Sequence, residues 1–398
     1  MRGRVPETIG HWAFGCDVMT GVALKMLFGE RSKLIGLVLG VAFATLLITQ
    51  QASLFVGLML RSQNTIADAH DVEIWVMDPF TEQIDLVRPM RNAALYQVRS
   101  VAGVDWAVPL FKAAVPIKTA DGRLRNAMLL GLDDVSLAGA TNRFILGSLD
   151  DLRRPDSIAI DRTGFNQLWP NEPLKLGMTL ELNDRRAVVT AITEAAPAFS
   201  AQVIVYTRYS QAIGYIPMGR DRLSFIQVRT RPGLDSSAVA EDISQQTGLK
   251  AYVADEFAWR TIIYNLRRTG MSTNFAITIA LGLIVGSAVT GLIFNSFISD
   301  NLKQFATLKV VGVADGSIMG MALCQVGVAA GMGFSIGVGL AAAFFEFVCT
   351  PASTLRGFYL PWWIVAAAAL IMAVSILIST AVGLRRVLRL DPATLLRS

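Results

Sequence analysis

Residues 269–299 read TGMSTNFAITIALGLIVGSAVTGLIFNSFIS, thirty-one consecutive positions without an Asp, Glu, Lys or Arg. A bilayer core of roughly 30 Å is crossed by about 20 apolar residues in a helix, so this run can span with turns to spare. In hydrocarbon every backbone N–H and C=O must be paired within the segment, which leaves a helix as its form. Three further runs have the same character: Leu34–Leu60, Gly316–Phe345 and Gly357–Leu384, of 27, 30 and 28 residues. Together they account for a 398-residue chain that is 53% hydrophobic and only 17% charged, where an average soluble domain carries about a quarter charged residues. Helices buried in soluble cores rarely exceed about 20 residues. The first run begins at residue 34 and is too long for a cleavable signal peptide, whose apolar region is roughly 7–15 residues. The expectation is an integral membrane α-helical protein with four transmembrane helices.

Charge orients these helices. Between Arg61 and Arg268 there are 24 basic and 24 acidic residues, so the net charge of +5 lies in the flanks. Residues 1–33 carry five basic and three acidic residues, and the tail from Arg385 carries four basic and one acidic. The positive-inside rule counts Lys and Arg in short segments beside the spans. It puts both termini and the 300–315 loop in the cytoplasm, and the long 61–268 segment outside. Tyr359, Trp362 and Trp363 then open the fourth span on its outer side, where an aromatic belt belongs. The basic residues are topological anchors with no aromatic-interleaved patch, so nucleic acid is not an expected partner; membrane lipids are. None of Cys16, Cys324 and Cys349 falls in the outer segment, which therefore holds no disulfide.

Residues 12–30 mix apolar and charged positions and predict an amphipathic helix in the cytoplasmic interface. The outer segment reads as mixed α/β. Alternating apolar positions predict strands at Val72–Met77, Trp106–Phe111, Ala114–Thr119, Ala127–Leu132, Leu180–Asn183, Ala187–Ile192, Val203–Tyr206, Leu223–Arg229 and Ala251–Ala254. Helices are expected at Asn92–Val98 and Ser237–Thr247, and from Glu256 straight into the second span. The pattern predicts a large α/β periplasmic domain of two lobes between helices 1 and 2: a core lobe of 61–136 plus 220–268 and an inserted lobe of 137–219. The remaining expected segments are the outer loop 346–356 and the tail 385–398.

Few residues can carry chemistry. The two histidines, His11 and His70, fall on opposite sides of the membrane, which removes mechanisms needing paired His or His beside a nucleophile. No G-x-x-x-x-G-K-[ST] is present, so this segment has no P-loop. No Cys/His cluster has zinc spacing; catalytic, cofactor and metal sites are all expected to be absent. Gly333–Gly337 matches G-x-S-x-G, but a nucleophile elbow needs a strand, a turn and Asp and His partners. Mid-span, these residues read as packing. Gly327, Gly331, Ser335 and Gly339 recur every four positions, as do Gly333, Gly337 and Ala341. Gly36 and Gly40 in the first span and Gly282 and Gly286 in the second repeat the spacing, giving small-residue faces for close helix approach. Gln50, Gln51 and Asn295 are polar but not ionisable, and no charged residue lies within any span. Energy must enter from elsewhere.

One span, an outer domain and three clustered spans resemble the MacB/FtsX/LolC-type (type VII) ABC transporter permeases, over the whole chain. Ala23–Leu47 (ALKMLFGERSKLIGLVLGVAFATLL) is similar to the family's entry into its first span. Asp300–Gly312 (DNLKQFATLKVVG) resembles its cytoplasmic loop, and Arg385–Arg397 (RRVLRLDPATLLR) its closing motif. Gly147–Ile192, with its LWPNEPLKLG segment, is similar to the periplasmic insert. The DevC-like subtype is the nearest in kind, and Phe305 stands where the family's loop usually carries an acidic residue. The resemblance implies a permease without catalytic activity of its own, in the bacterial inner membrane, working as a homodimer with a separate ABC ATPase subunit that binds the ATP. It implies mechanotransmission: movement of the periplasmic domain drives efflux of an amphiphilic or hydrophobic cargo through a periplasmic adaptor and a TolC-like outer-membrane channel. Phe305, Thr307, Leu308, Lys309, Val311 and Gly312 would form the ATPase-coupling element. The same layout also serves lipoprotein-release permeases and FtsX-like regulators of cell-wall hydrolases.

Overall fold

A computed structural model of the chain describes residues 21, 23–199, 203–216, 222–300, 304, 307, 313–349, 355 and 357–388. The amphipathic stretch expected at 12–30 falls partly outside them; residues 23–29 are helical. In chain order the first elements are α1 (Arg31–Arg61), α2 (Asn64–Ala67), β1 (Ile74–Met77), β2 (Met90–Arg91), α3 (Ala93–Arg99), β3 (Val104–Thr119), β4 (Leu124–Leu132) and β5 (Phe144–Leu146). There follow β6 (Ser157–Asp161), α4 (Arg162–Leu168), β7 (Thr179–Leu182), β8 (Arg185–Thr193), β9 (Val203–Arg208) and α5 (Tyr209–Tyr215). The chain continues through β10 (Arg222–Leu223), β11 (Phe225–Thr230), α6 (Ser236–Thr247), β12 (Lys250–Val253) and α7 (Ala254–Arg268). It closes with α8 (Met271–Asp300), α9 (Asp315–Val348) and α10 (Trp362–Leu388). Two compact units result: an outer unit of Phe55–Ser272 with Val348–Phe358, and a helical unit of the remainder.

The outer unit is built on one sheet that changes character along β3. Over Val104–Leu110, β3 pairs with β11, continuing an antiparallel order β12–β1–β11–β3. Successive residues of a strand point to opposite faces. Ile74 and Val76 therefore meet Leu95, Val98, Val239 and Ile243 of α3 and α6 on one face, while Trp75 and Met77 meet Phe257 of α7 on the other. From Phe111 onward β3 pairs instead with β4 and β7, and the pairings β3–β4–β9–β6–β8–β7–β3 close a ring. Val115, Ile117, Leu129, Ile158, Ile160, Leu182, Val189 and Val205 fill it at alternate positions. Closure removes the free strand edges.

Three expectations change here. β3 is a single strand, where the sequence predicts Trp106–Phe111 and Ala114–Thr119 separately. Lys112 interrupts the apolar pattern, yet it is buried: its Nζ donates to Ile84 O at 2.8 Å and pairs with Asp85. The ring of strands is not confined to 137–219, the span expected for an inserted lobe, because β3 and β4 supply two of its sides. Helix α7 does not run on into α8; it stops at Arg268, and Gly270, at φ +68°, reverses the local backbone before Met271. The left-handed region is costly for residues with a Cβ, which suits glycine to this break.

In the helical unit, Arg31–Arg61, Met271–Ile293 and Gly316–Val348 are long and apolar enough to cross a membrane, and Trp362–Ile378 is a shorter apolar stretch. The run expected from Gly357 becomes helical only at Trp362: Pro361 O accepts from Ile364 N, at 3.1 Å, in the first turn. Proline suits that place because its fixed φ matches the helix and its missing N–H would have no partner there.

Candidate functional site

The helices meet through glycines. A Cβ on Gly286 would stand 2.2 Å from Ala44 Cβ, one on Gly40 2.9 Å from Val289 Cγ1, one on Gly36 3.0 Å from Ile293 Cδ1 and one on Gly282 3.2 Å from Leu47 Cβ. Thus α1 and α8 approach along both small-residue faces. Helix α9 lays a different face on α1: a Cβ on Gly333 would lie 2.7 Å from Val38 O and one on Gly337 2.6 Å from Ala42 O. The other face of α9 is open. Gly327, Gly331 and Gly339 meet nothing within 4 Å, and Ser335 is exposed with its hydroxyl turned back to Gly331 O at 2.8 Å. The serine of the G-x-S-x-G match therefore serves its own helix.

Among the loop residues expected to couple an ATPase, Thr307 is helical and exposed. Phe305, Leu308, Lys309, Val311 and Gly312 lie outside the described residues.

Helix α7 is tied into the core of the outer unit at its first turn. Phe257 packs on Trp75 and Phe225, with ring centroids 6.0 and 5.9 Å away, and Trp75 and Phe225 stand edge to face at 5.6 Å. All three are buried, so the first turn of α7 is fixed to β1 and β11. Further along, Thr261 and Asn265 are buried one turn apart on the same face. The available signal was the spacing of Phe257, Ala258, Thr261 and Asn265, a helical face that is apolar at one end only.

Polar ties reinforce the outer unit. Glu73 accepts hydrogen bonds from Thr230 Oγ1, from Thr230 N at 3.3 Å and from Ser236 Oγ at 2.8 Å. Burial pushes its carboxyl up, but these bonds and nearby Arg229 outweigh that and hold it below the usual glutamate value. Burial pushes the Lys112 ammonium down, and Asp85 only partly offsets this. Asp161, fully buried, accepts from Gly164 N at 3.0 Å and from Ile204 N at 2.8 Å, capping α4 and tying it to β9.

An α/β domain inserted between one long apolar helix and a later group of them defines a membrane protein with a large domain on one side. A family model of the MacB-like periplasmic core domain matches residues 34–246, and one of the FtsX-like permease C-terminal region matches residues 276–392. The chain belongs to the MacB/FtsX-type, or type VII, ABC transporter permeases. It is 23% identical over 253 residues to the macrolide export ATP-binding/permease protein MacB of Shigella boydii serotype 4 (strain Sb227), covering 60% of this chain and 38% of that one. The MacB of Escherichia coli (strain K12) is 22% identical over the same shares. The chain thus spans 38% of the length of these curated relatives. Among solved structures, the periplasmic region of MacB from Actinobacillus actinomycetemcomitans matches at a TM-score of 0.37 and 14% identity, covering 49% of this chain and 94% of that one. The extracellular domain of the ABC-type transporter YknZ from Gram-positive bacteria matches at 0.33 and 14%, over 46% and 98%.

Proposed function

We propose that this chain is the permease subunit of an ABC-type exporter that works by mechanotransmission. Four helices cross the bacterial inner membrane with both termini in the cytoplasm and the outer unit in the periplasm. Two copies form a homodimer, and a separate ATPase, which alone binds ATP, docks on the 300–315 loop through Phe305, Thr307, Leu308, Lys309, Val311 and Gly312. Closure of the dimer moves the periplasmic domains, which deliver an amphiphilic or hydrophobic cargo to an adaptor and a TolC-like outer-membrane channel.

The observation that carries this reading is the packing of the apolar helices. They meet through glycines at distances that leave little or no room for a Cβ, no Asp, Glu, Lys, Arg or His lies within the four charge-free runs, and a cavity between Leu34, Ile293 and Val326 holds only about 10 Å³. That volume admits about one water. Such helices suit a linkage better than a polar conduit.

Copurification from membranes tests the partners: an ATPase with an adaptor is expected, whereas a murein hydrolase or a lipoprotein carrier in their place would overturn the exporter reading. ATP hydrolysis by the purified chain alone would remove the separate-ATPase reading. Leu308→Asp is expected to abolish stimulation of the ATPase while insertion stays intact; unchanged export would exclude the loop from coupling.

A further inference from the structure

Outside its buried stripe of Phe257, Ala258, Thr261 and Asn265, α7 has a composition that linkage alone does not require. Trp259, Ile263 and Arg267 form one row along the helix, and Arg260, Tyr264 and Arg268 another, each at a spacing of four. With Lys250 and Tyr252 of the edge strand β12 and Glu82 of the loop between β1 and β2 they line a cleft of about 690 Å³. That is within the size range of ligand pockets, roughly 300–1,000 Å³. Its walls divide by chemistry. Trp259 is 61% exposed, an unusual state for the largest apolar side chain. Arg260 is engaged, bonded to Glu256 at 2.8 Å and stacked over Tyr252 at 4.3 Å. Lys250, Arg267 and Arg268 have no ion-pair partner among the described residues, and Glu82 is the only acid in the lining. Three residues beyond Arg268, at Met271, the chain enters its second long apolar helix.

We infer that this cleft binds an anionic amphiphile, its acidic head group held by Lys250, Arg267 and Arg268 and its apolar part laid along Trp259 and Ile263. Guanidinium groups suit phosphate and carboxylate oxygens, which they can bind through paired N–H donors. An aromatic and aliphatic wall beside them favours a tail over a bare anion. On the exporter reading the helix that begins at Met271 lies in the bilayer, so Arg267 and Arg268 are its near neighbours in the chain. The same chemistry comes from two sources, an acidic phospholipid of the outer leaflet or a released cargo molecule. The second would deepen the exporter reading and rests on it.

The full chain in zwitterionic nanodiscs is titrated with radiolabelled dodecyl phosphate, without ATP or partners. Saturable binding is expected. Replacing two head-group contacts by Arg267→Gln/Arg268→Gln weakens it by about tenfold or more, and Trp259→Ala weakens it a few-fold. All three positions are solvent-exposed, and unchanged circular dichroism verifies folding of the variants. Dodecylphosphocholine and inorganic phosphate should compete poorly. Equal competition by either, or unchanged binding in the arginine variant, overturns the proposal. So does disulfide linkage of Trp259→Cys chains, in a background with Cys16, Cys324 and Cys349 replaced by Ser, because a second copy would then cover the face. Repeating the titration in phosphatidylglycerol nanodiscs separates the sources: lost binding assigns the site to bilayer lipid, retained binding to a released molecule, and either upholds the site. Because no ATP turnover is measured, a failed titration leaves the exporter reading untouched. Intact binding with no ATP-dependent export would sink that reading alone.

Discussion

In the outer unit the core is filled by large side chains. Trp75, Phe225 and Phe257 meet at one junction of sheet and helix, and Phe165 and Leu129 lie fully buried in the ring of strands. Among the apolar helices the backbones come close where no side chain stands between them: Gly286 faces Ala44, and Gly337 faces the Ala42 carbonyl. Solvent explains the contrast. Water drives large apolar groups together at about 25 cal/mol per Å² of buried surface, so a domain in water gains from bulk. Lipid tails are as apolar as leucine, so helices in a membrane gain by close approach, which small residues permit. Removing volume should damage one unit, and adding it should damage the other.

Phe257→Ala tests the first half and should have the largest effect, about 3–5 kcal/mol, as for other buried phenylalanines. The measurement is the denaturant midpoint of the detergent-solubilised chain followed by tryptophan fluorescence. A loss under about 1 kcal/mol would mean that α7 is not anchored through this ring. Gly337→Val tests the second half, since its Cβ would enter space held by Ala42 O and Thr45; overpacking of this kind costs about 1–3 kcal/mol. An unshifted thermal midpoint would show that α9 and α1 are not in this contact.

The pH response should separate the units as well, because the charge-free runs of the apolar helices hold no Asp, Glu, Lys, Arg or His. A carboxyl held low in the folded state adds stability above its ordinary value and loses it as pH falls through the depressed value. Glu73 is such a group, so wild type and Glu73→Gln should differ most near neutrality and converge on acidification. Parallel stability curves would refute that assignment. Smallest of all is Gly331→Ala on the open face of α9, expected to change stability by less than about 0.5 kcal/mol. A loss matching that of Gly337→Val would erase the distinction between the two faces.

Much of the outer fold is legible locally. Val72–Met77, Val203–Tyr206 and Ser237–Thr247 each lie within two residues of an observed element, because one face of each is buried and the other is wetter or packed on helices. Ser157–Asp161, Arg162–Leu168 and Tyr209–Tyr215 escape such reading. They are short, and the first two sit in a stretch dense in Gly and Pro. The closure of the ring is illegible for another reason: Ile117 faces Leu182, and no local pattern encodes a partner so distant in sequence. The small-residue spacing of α9 announces two faces without saying which one α1 takes; only the fit of Val38 and Val41 against Gly333 decides. The coupling loop, read by resemblance, has no such geometry to set beside it.

The order of strands in the first sheet bears on how the protein is made. β1 has two sheet neighbours, β11 and β12, and both follow the entire ring in sequence. A chain synthesised from its N-terminus therefore presents Ile74–Met77 as an unpaired, strongly apolar segment until residues 225–253 arrive, just ahead of the second long apolar helix. Unpaired edges of this kind invite association with other chains. Biogenesis then has a vulnerable interval that ends only when the last strands emerge, and the ring, whose strands are all made inside that interval, is the part free to fold while β1 waits.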